Sequence, residues 1–456
     1  MTATAAATQQ EAHRVPPGPR RIAALGLLTR MVRNRLEVME QCAADYGDAA
    51  RIPLGPKTLY LFNHPDHARH VLADNAANYS KGIGLVQARR VMGDGLLTSE
   101  GERWRKQRKT VQPVFQPKRI ARQAEVIADE AEALVRRLRQ RIGTGPVDVR
   151  DEMTVLTLGV LGRTLLDADL SAFDSIGGSF EAVQNQAIFE MMSLGAVPLW
   201  LPLPGALRFR KARRDLQRIT DALAAGREGR AGGDDIISRL IESVREEPDP
   251  RVGRRRMREE LVTLLLAGHE TTASTLSWAF HLLDRHPEVW ERVHAEAVEV
   301  FARGPLTADS LHGLQYTTMV LEEVMRLYPP VWILPRIARA ADEIGGYRVP
   351  AGADVLICPY LLHRHPAFWQ DPERFDPDRF APTARGGRHR YAYLPFGAGP
   401  RFCVGNSLGM LEATIVLATM ARELRLRTVR GYEVAGEPML TLRVRGGLPM
   451  TVQSAK

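Results

Sequence analysis

From about residue 101 to residue 327, apolar residues recur at three-to-four spacing with polar residues between them. That is the period of one buried helical face, and it predicts that most of the mass is α-helix. Ahead of it, short alternating runs at 51–54 and 58–62, separated by Gly55-Pro56, predict two strands and a small sheet near the start. The segment Gly345-Gly346-Tyr347-Arg348-Val349-Pro350-Ala351-Gly352 and the run 439–452 predict further hairpin strands. Gly, Pro and charge cluster without periodicity at 224–234, 246–253 and 381–390, which predicts loops. The longest periodic run, 254–284, predicts a helix of roughly thirty residues, on the order of 45 Å, long enough to cross a domain. There is no internal repeat.

Composition narrows the class. At 456 residues, 45% hydrophobic and 25% charged, the chain can bury an extensive core, which excludes disorder as its default. Length alone suggests two or three domains, but the motifs below fall between Trp104 and Cys403 and converge on one site, so one functional unit over 1–456 is expected. A flexible tail of about 1–20 is expected, with Pro16-Pro17-Gly18-Pro19 as a stiff extended lead. The apolar run 22–28 is far too short to span a bilayer, so no transmembrane anchor is expected. Cys42, Cys358 and Cys403 are too few and too scattered for a disulfide framework, which points to a reducing, cytoplasmic setting. The net charge of +9 suits nucleic acid, anionic lipid or an acidic protein, or is a solvated basic surface.

The densest chemistry lies at Phe396-Gly397-Ala398-Gly399-Pro400-Arg401-Phe402-Cys403-Val404-Gly405, which runs into a helical pattern from Asn406. A loop this rich in glycine lets backbone N–H groups turn toward a sulfur, and such donors stabilise a thiolate and tune its donation to iron. Arg401, two residues before the sulfur, is placed to meet a haem propionate, and Phe396 can pack near the loop. An isolated cysteine is ordinarily a small buried hydrophobe; the surrounding pattern argues for a ligand. The segment resembles the haem-binding loop of the cytochrome P450 family, with its Phe, two Gly, Arg, Cys and Gly at these spacings. The resemblance implies a mainly α fold with a small β domain and haem b between the long central helix and the helix after the cysteine. It makes Cys403 the axial ligand of the iron, with Phe396 and Gly397 in the cofactor cradle.

Inside the long helix, Ala267 and Thr271 are four apart in Ala267-Gly268-His269-Glu270-Thr271-Thr272 and share a face. Gly268 weakens the ladder, and the Thr271 hydroxyl can bond back to the Ala267 carbonyl, opening a groove. As a bare pattern this is more often a packing kink. The stretch resembles the family's oxygen-activation motif, which implies Thr271 and Glu270 as the catalytic pair, an alcohol backed by a carboxylate for proton delivery, with Ala267 beside the cofactor.

Trp104 and Arg108 lie one helical turn apart, so an indole N–H and a guanidinium can reach one anion. With Arg336 and Arg401 they make four donors for the two haem propionates, although each alone reads as a snorkelling surface side chain. Glu323 and Arg326 are three apart, by themselves an everyday ion pair. Asp371-Pro372-Glu373-Arg374-Phe375 and Pro377-Asp378-Arg379-Phe380 together resemble a second family element, and the resemblance implies that Arg374 closes a structural Glu323, Arg326, Arg374 network. Cys358, His363 and His365 sit close together but fit no tight zinc spacing, so packing is expected there.

The resemblance implies a monooxygenase that takes electrons originating in NAD(P)H from a separate ferredoxin and ferredoxin reductase, since no segment is left for a flavin or iron–sulfur domain. A landing surface is expected at Lys106, Lys109, Lys118, Arg119 and Arg122. A monomer is expected, with no nucleic-acid partner. Substrate contacts are implied for the loop 80–97, the region 189–203 with Met191, Met192, Leu194, Trp200 and Leu201, and for Ala267, Val331, Trp332, Ile333, Leu334 and Leu440. These give a large apolar pocket. The stretches 54–58 and 273–278 look similar to actinobacterial oxidases of terpenes and other secondary metabolites, with a fatty acid or polyketide as alternatives. A peroxide-driven peroxygenase is disfavoured by the presence of Glu270 and Thr271. A haem-based sensor or carrier would need a second protein ligand, for which His269 beside Gly268 is poorly placed.

Overall fold

The computed structural model describes residues 14–20, 24–54, 57–170, 176–193, 195–227, 235–245, 247–307 and 310–455. Most of the expected tail, the Gly55-Pro56 turn, part of the 224–234 loop, Glu246 and Leu194 lie outside them. The first helices are α1 (Ala24–Arg33), α2 (Arg35–Tyr46), α3 (Pro65–Arg69), α4 (Leu85–Met92), α5 (Gly101–Val111), α6 (Pro117–Ala121), α7 (Ala124–Arg139) and α8 (Val149–Leu161). They are followed by α9 (Ile176–Met192), α10 (Pro204–Ala225), α11 (Ile236–Ser243), α12 (Pro250–Arg285), α13 (Pro287–Ala302), α14 (Gln315–Leu327), α15 (Pro359–Leu362) and α16 (Asn406–Glu423). The strands are short: β1 (Ala49–Leu54), β2 (Lys57–Phe62), β3 (Tyr79–Lys81), β4 (Val147–Asp148), β5 (Leu334–Ala338) and β6 (Asp342–Ile344). The rest are β7 (Tyr347–Val349), β8 (Asp354–Ile357), β9 (Leu424–Thr428), β10 (Gly436–Pro438), β11 (Leu442–Val444) and β12 (Pro449–Ser454).

The expected first pair is antiparallel, with Ala49 opposite Phe62 and Leu54 opposite Lys57, and it belongs to a five-stranded sheet ordered β1-β2-β8-β5-β3. Alternation along these strands buries both faces. Ile52, Leu59 and Leu61 pack toward α1 and α2, while Ala49, Tyr60 and Phe62 pack toward Val71, Leu72 and Leu394. The hairpin at 345–352 is only half a hairpin: β6 and β7 turn through Gly345 and Gly346, both at positive φ, and the second half leads into β8. The run 439–452 does not pair with itself. Its first part, β11, pairs with β10, and its second, β12, lies between β4 and β9, because the alternating apolar residues serve two separate sheets.

The central helix is longer than its apolar pattern. Pro250 occupies the first turn, and the Asp249 carboxylate accepts from Arg251 N at 2.8 Å, so α12 begins inside the expected 246–253 loop. Its 36 residues span about 54 Å. It ends just before Pro287, where the residue ahead of a proline resists helical geometry. Helix α12 packs along α8, α14 and α16, and α16 is apolar nearly all round, which suits a fully enclosed helix.

Candidate active site

Cys403 follows a loop whose shape depends on glycine. Gly397 and Gly399 have φ of 71° and 64°, and a Cβ on Gly399 would lie 1.9 Å from the Leu72 carbonyl oxygen, in the π-helical turn His70–Asp74. The Cys403 N–H donates to the Phe396 carbonyl at 3.0 Å, closing the loop, and the Phe396 and Phe402 rings meet edge to face. The sulfur accepts from the backbone N–H groups of Gly405 and Asn406. Burial pushes the thiol up, while these donors and the Arg108 guanidinium act in the opposite direction. Protein surrounds Cys403 closely, yet the residue is accessible, so it faces an internal space.

Helix α12 borders the same region. Gly409, on the first turns of α16, would place a Cβ 3.7 Å from Thr272 Oγ1, so the helix after the cysteine touches α12 beside Thr271. Along an otherwise enclosed stretch, Ala267 is exposed and Thr271 half-buried, and the Thr271 hydroxyl donates to the Ala267 carbonyl at 2.9 Å, as its spacing predicts. Gly268 does not break the ladder. It lets α8 approach, since a Cβ there would meet Leu161 Cδ1 at 2.7 Å. His269 faces away from this space. Its Nδ1 lies 2.6 Å from the Leu265 carbonyl, its ring packs 4.8 Å from Phe180, and burial lowers its pKa to about 4. Glu270 accepts from the Thr441 hydroxyl at 2.6 Å and also bonds Gln184; burial raises its pKa, against these bonds and Arg443. Nothing in the local sequence marks Thr441 and Gln184 as its partners.

The four cationic or indole donors meet in one neighbourhood. Arg401 stacks 3.8 Å over the Trp104 ring and reaches Glu100 at 2.6 Å, and Arg108 donates to the Phe402 carbonyl at 2.8 Å. Arg336 is buried and donates to the Pro335 carbonyl; burial, with Arg401 nearby, lowers its pKa to about 10. Lys81 joins them unannounced by any motif: its Nζ donates to the Leu96 and Ser99 carbonyls, and burial with Arg401 and Arg336 lowers it to about 7. Glu100 is the carboxylate that acts on Arg336, and a buried cation so weakly compensated suits an anion.

Two expectations are corrected. Arg374 does not close the ion-pair network. Glu323 and Arg326 pair at 2.6 and 2.8 Å, fully buried, but the second guanidinium at Glu323 is Arg379, at 3.5 Å. Arg374 contributes only its backbone carbonyl, accepting from Arg326, while its side chain is exposed and paired with Asp376. Trp332 does not line the apolar space either. It is buried in the core between the sheet and α2, with its indole N–H donating to the Met439 carbonyl at 3.0 Å. Val331, Ile333, Leu334 and Leu440 around it remain half-exposed, and Trp200 is 74% exposed. The loop 80–97 contains helix α4 rather than irregular chain.

Cys358 and His363 are structural. The Cys358 thiol donates to the Trp332 carbonyl, and His363 Nε2 accepts from Leu394 N at 2.8 Å; no cluster suited to a metal ion occurs among the described residues. No helix there is long and apolar enough to cross a membrane.

A cytochrome P450 profile matches residues 16–441. This chain belongs to the cytochrome P450 family. As a P450 it is a monooxygenase of the oxidoreductase class. It is 37% identical over 97% of its length to cyclooctatin synthase of Streptomyces melanosporofaciens, covering 96% of that protein. It is 36% identical to cyclooctat-9-en-7-ol 5-monooxygenase of the same organism, over 91% of this P450 and 90% of the relative. Pentalenene oxygenase of Streptomyces avermitilis is 32% identical, over 90% of each chain.

Proposed function

We propose that this P450 binds haem b through the Cys403 thiolate and oxygenates a carbocyclic terpenoid, working as a single catalytic unit and a monomer in the cytoplasm. The observation that carries the cofactor assignment is an accessible sulfur with two backbone donors beside Ala267 and Thr271, ringed by cations with few carboxylates of their own. The residues fit the group: Trp104, Arg108, Arg336 and Arg401, with Lys81, are the donors for two propionates, and Ala267 and Gly397 leave room for a flat ring. When bound, haem supplies the redox chemistry of dioxygen activation, and a thiolate ligand favours O–O cleavage.

The chain itself manages protons and orientation. Glu270, bonded by the Thr441 hydroxyl and with its pKa raised by burial, stands one residue from Thr271, whose hydroxyl stays anchored on the Ala267 carbonyl. An anchored alcohol backed by an acid is a relay worth roughly 10²–10⁴ in rate. Val331, Ile333, Leu334 and Leu440 orient an apolar substrate. Two relatives are named for cyclooctat-9-en-7-ol and pentalenene, which supports a cyclic hydrocarbon skeleton over a fatty acid or polyketide. Electrons from NAD(P)H would arrive through a ferredoxin and its reductase. Lys106, Lys109, Lys118 and Arg122 are exposed, and α5, which carries the first two, is bonded to the cysteine loop through Arg108, so the basic surface flanks the thiolate side.

Carbon monoxide added to the reduced protein tests the core assignment. The red-shifted Soret band of a thiolate complex is expected, and it should vanish in Cys403→Ala; an imidazole-type spectrum would refute it. A spin-shift screen against cyclic terpenes, fatty acids and macrolides tests the substrate class.

A further inference from the structure

A cleft of about 720 Å³ opens between α4, α10 and α12. Seven of its lining residues are arginines, against two carboxylates, Asp94 and Glu259. Both carboxylates are already bound by Arg103, at 2.9 and 3.0 Å, and Asp94 also by Arg89. Arg90 and Arg258 are held by Glu190 and Asp221. Three guanidiniums remain. Arg213, Arg251 and Arg255 are exposed and pair with no carboxylate among the described residues.

Their placement is directional. On α12, Arg251, Arg255 and Val262 recur at helical spacing along one face, so the cleft runs from charge to hydrocarbon over about 16 Å. On α10, Phe209, Arg213 and Leu216 face it in the same way. The floor is apolar: Met92, Val183, Phe209 and Leu216 are buried. At the inner end, Gly93 and Gly95 press onto α12, where a Cβ would lie 2.4 Å from Glu259 Cγ and 2.1 Å from Thr263 Oγ1, bounding the cleft on the side of Ala267. The volume lies within the range of small-molecule sites. A polyhydroxylated ligand would find no free carboxylate to receive its hydroxyl groups, whereas an anionic head on an aliphatic tail matches both ends of the cleft. Guanidinium binds carboxylate through paired hydrogen bonds.

We propose that this cleft is a second ligand site, separate from the cysteine centre, that takes a single-chain carboxylate amphiphile with its head between Arg213, Arg251 and Arg255 and its tail along the apolar floor. The site stands whatever molecule the cysteine centre oxidises. The test is calorimetric titration of dodecanoate and dodecanol into the holoenzyme with its iron already ligated by an azole, so that binding at the cysteine centre is blocked. Dodecanoate is expected to bind at least tenfold more tightly than dodecanol, more weakly as salt is raised, and at least tenfold more weakly to the triple variant R213S/R251S/R255S. Affinities within twofold for acid and alcohol, an unchanged triple variant, or loss of dodecanoate binding when the azole is present would overturn the site. Should the triple variant fail to fold, Arg255→Glu alone decides: a fivefold or greater weakening supports the site, and wild-type affinity refutes it.

Discussion

Beneath Cys403 the chain is held by fully buried bonds gathered around Arg326. Over α12, by contrast, α4, α9 and α10 pack through apolar residues such as Val91, Val183 and Leu216 and add partly exposed arginine–carboxylate pairs. Arg326 illustrates the first kind. It is fully enclosed, and its N–H groups reach both Glu323 oxygens and the carbonyls of His363, Pro372 and Arg374, pinning the segment that leads into the cysteine loop. The roof includes pairs such as Arg90 with Glu190, 2.9 Å apart, in which the arginine is 42% exposed and also holds the Gly195 carbonyl. Phe189 and Trp200 are exposed as well. The contrast teaches where each job is done. Holding a sulfur in place needs a fixed floor, whereas admitting bulky apolar molecules needs elements that can separate without unfolding the core.

Four measurements break or sharpen this contrast. Arg326→Ala should do most damage: it strands a buried carboxylate and three carbonyls, so a loss of about 3–5 kcal/mol is expected in denaturant unfolding, with poor haem incorporation. Arg90→Met leaves Glu190 enclosed without its cation and should cost about 1–3 kcal/mol while leaving the carbon monoxide spectrum unchanged, with substrate entering and leaving faster in stopped-flow spectra. A shifted Soret band in that variant would show that roof and floor are not independent.

Acidification attacks the core from inside. Burial lowers His269 and His281 to about 4 and His363 to about 3, so each stays neutral when folded and its stabilising contribution is present above the ordinary value of 6.5. That contribution is lost as pH falls from 6.5 through these values, at up to about 1.4 kcal/mol per pH unit for each ring. Melting temperature should therefore drop below pH 6.5, and less steeply in His363→Gln. Arg374→Ala is the smallest effect: with only an exposed pair to lose, it should change stability by less than about 0.5 kcal/mol. A loss equal to that of Arg326→Ala would restore Arg374 to the network.

Much of the floor was legible because it is written in short spans. The cysteine loop, the Ala267–Thr271 turn and the Glu323–Arg326 pair each fit within one loop or one helical turn, where spacing translates directly into geometry. The partners supplied from a distance were not. Arg379 and Arg374 lie five residues apart in similar surroundings, and only the fold decides which faces Glu323. Trp332 reads as a pocket residue among apolar neighbours, but its indole N–H needed an acceptor, and the Met439 carbonyl supplied one in the core. Lys81, Thr441 and Gln184 come from separate elements and carry no local pattern. The start of α12 was hidden for another reason: its first turns are charged, and the capping Asp249 and Pro250 hold it without an apolar face.

The contact between Gly399 and the Leu72 carbonyl bears on directed evolution. A library that randomised the cysteine loop would spend most of its members at a position where any added carbon collides with the backbone of the 70–74 turn, and where the backbone is left-handed besides. Diversity placed instead at Phe189, Trp200 and the Arg90–Glu190 pair samples surfaces that can change shape, leaving the sulfur where the loop has put it.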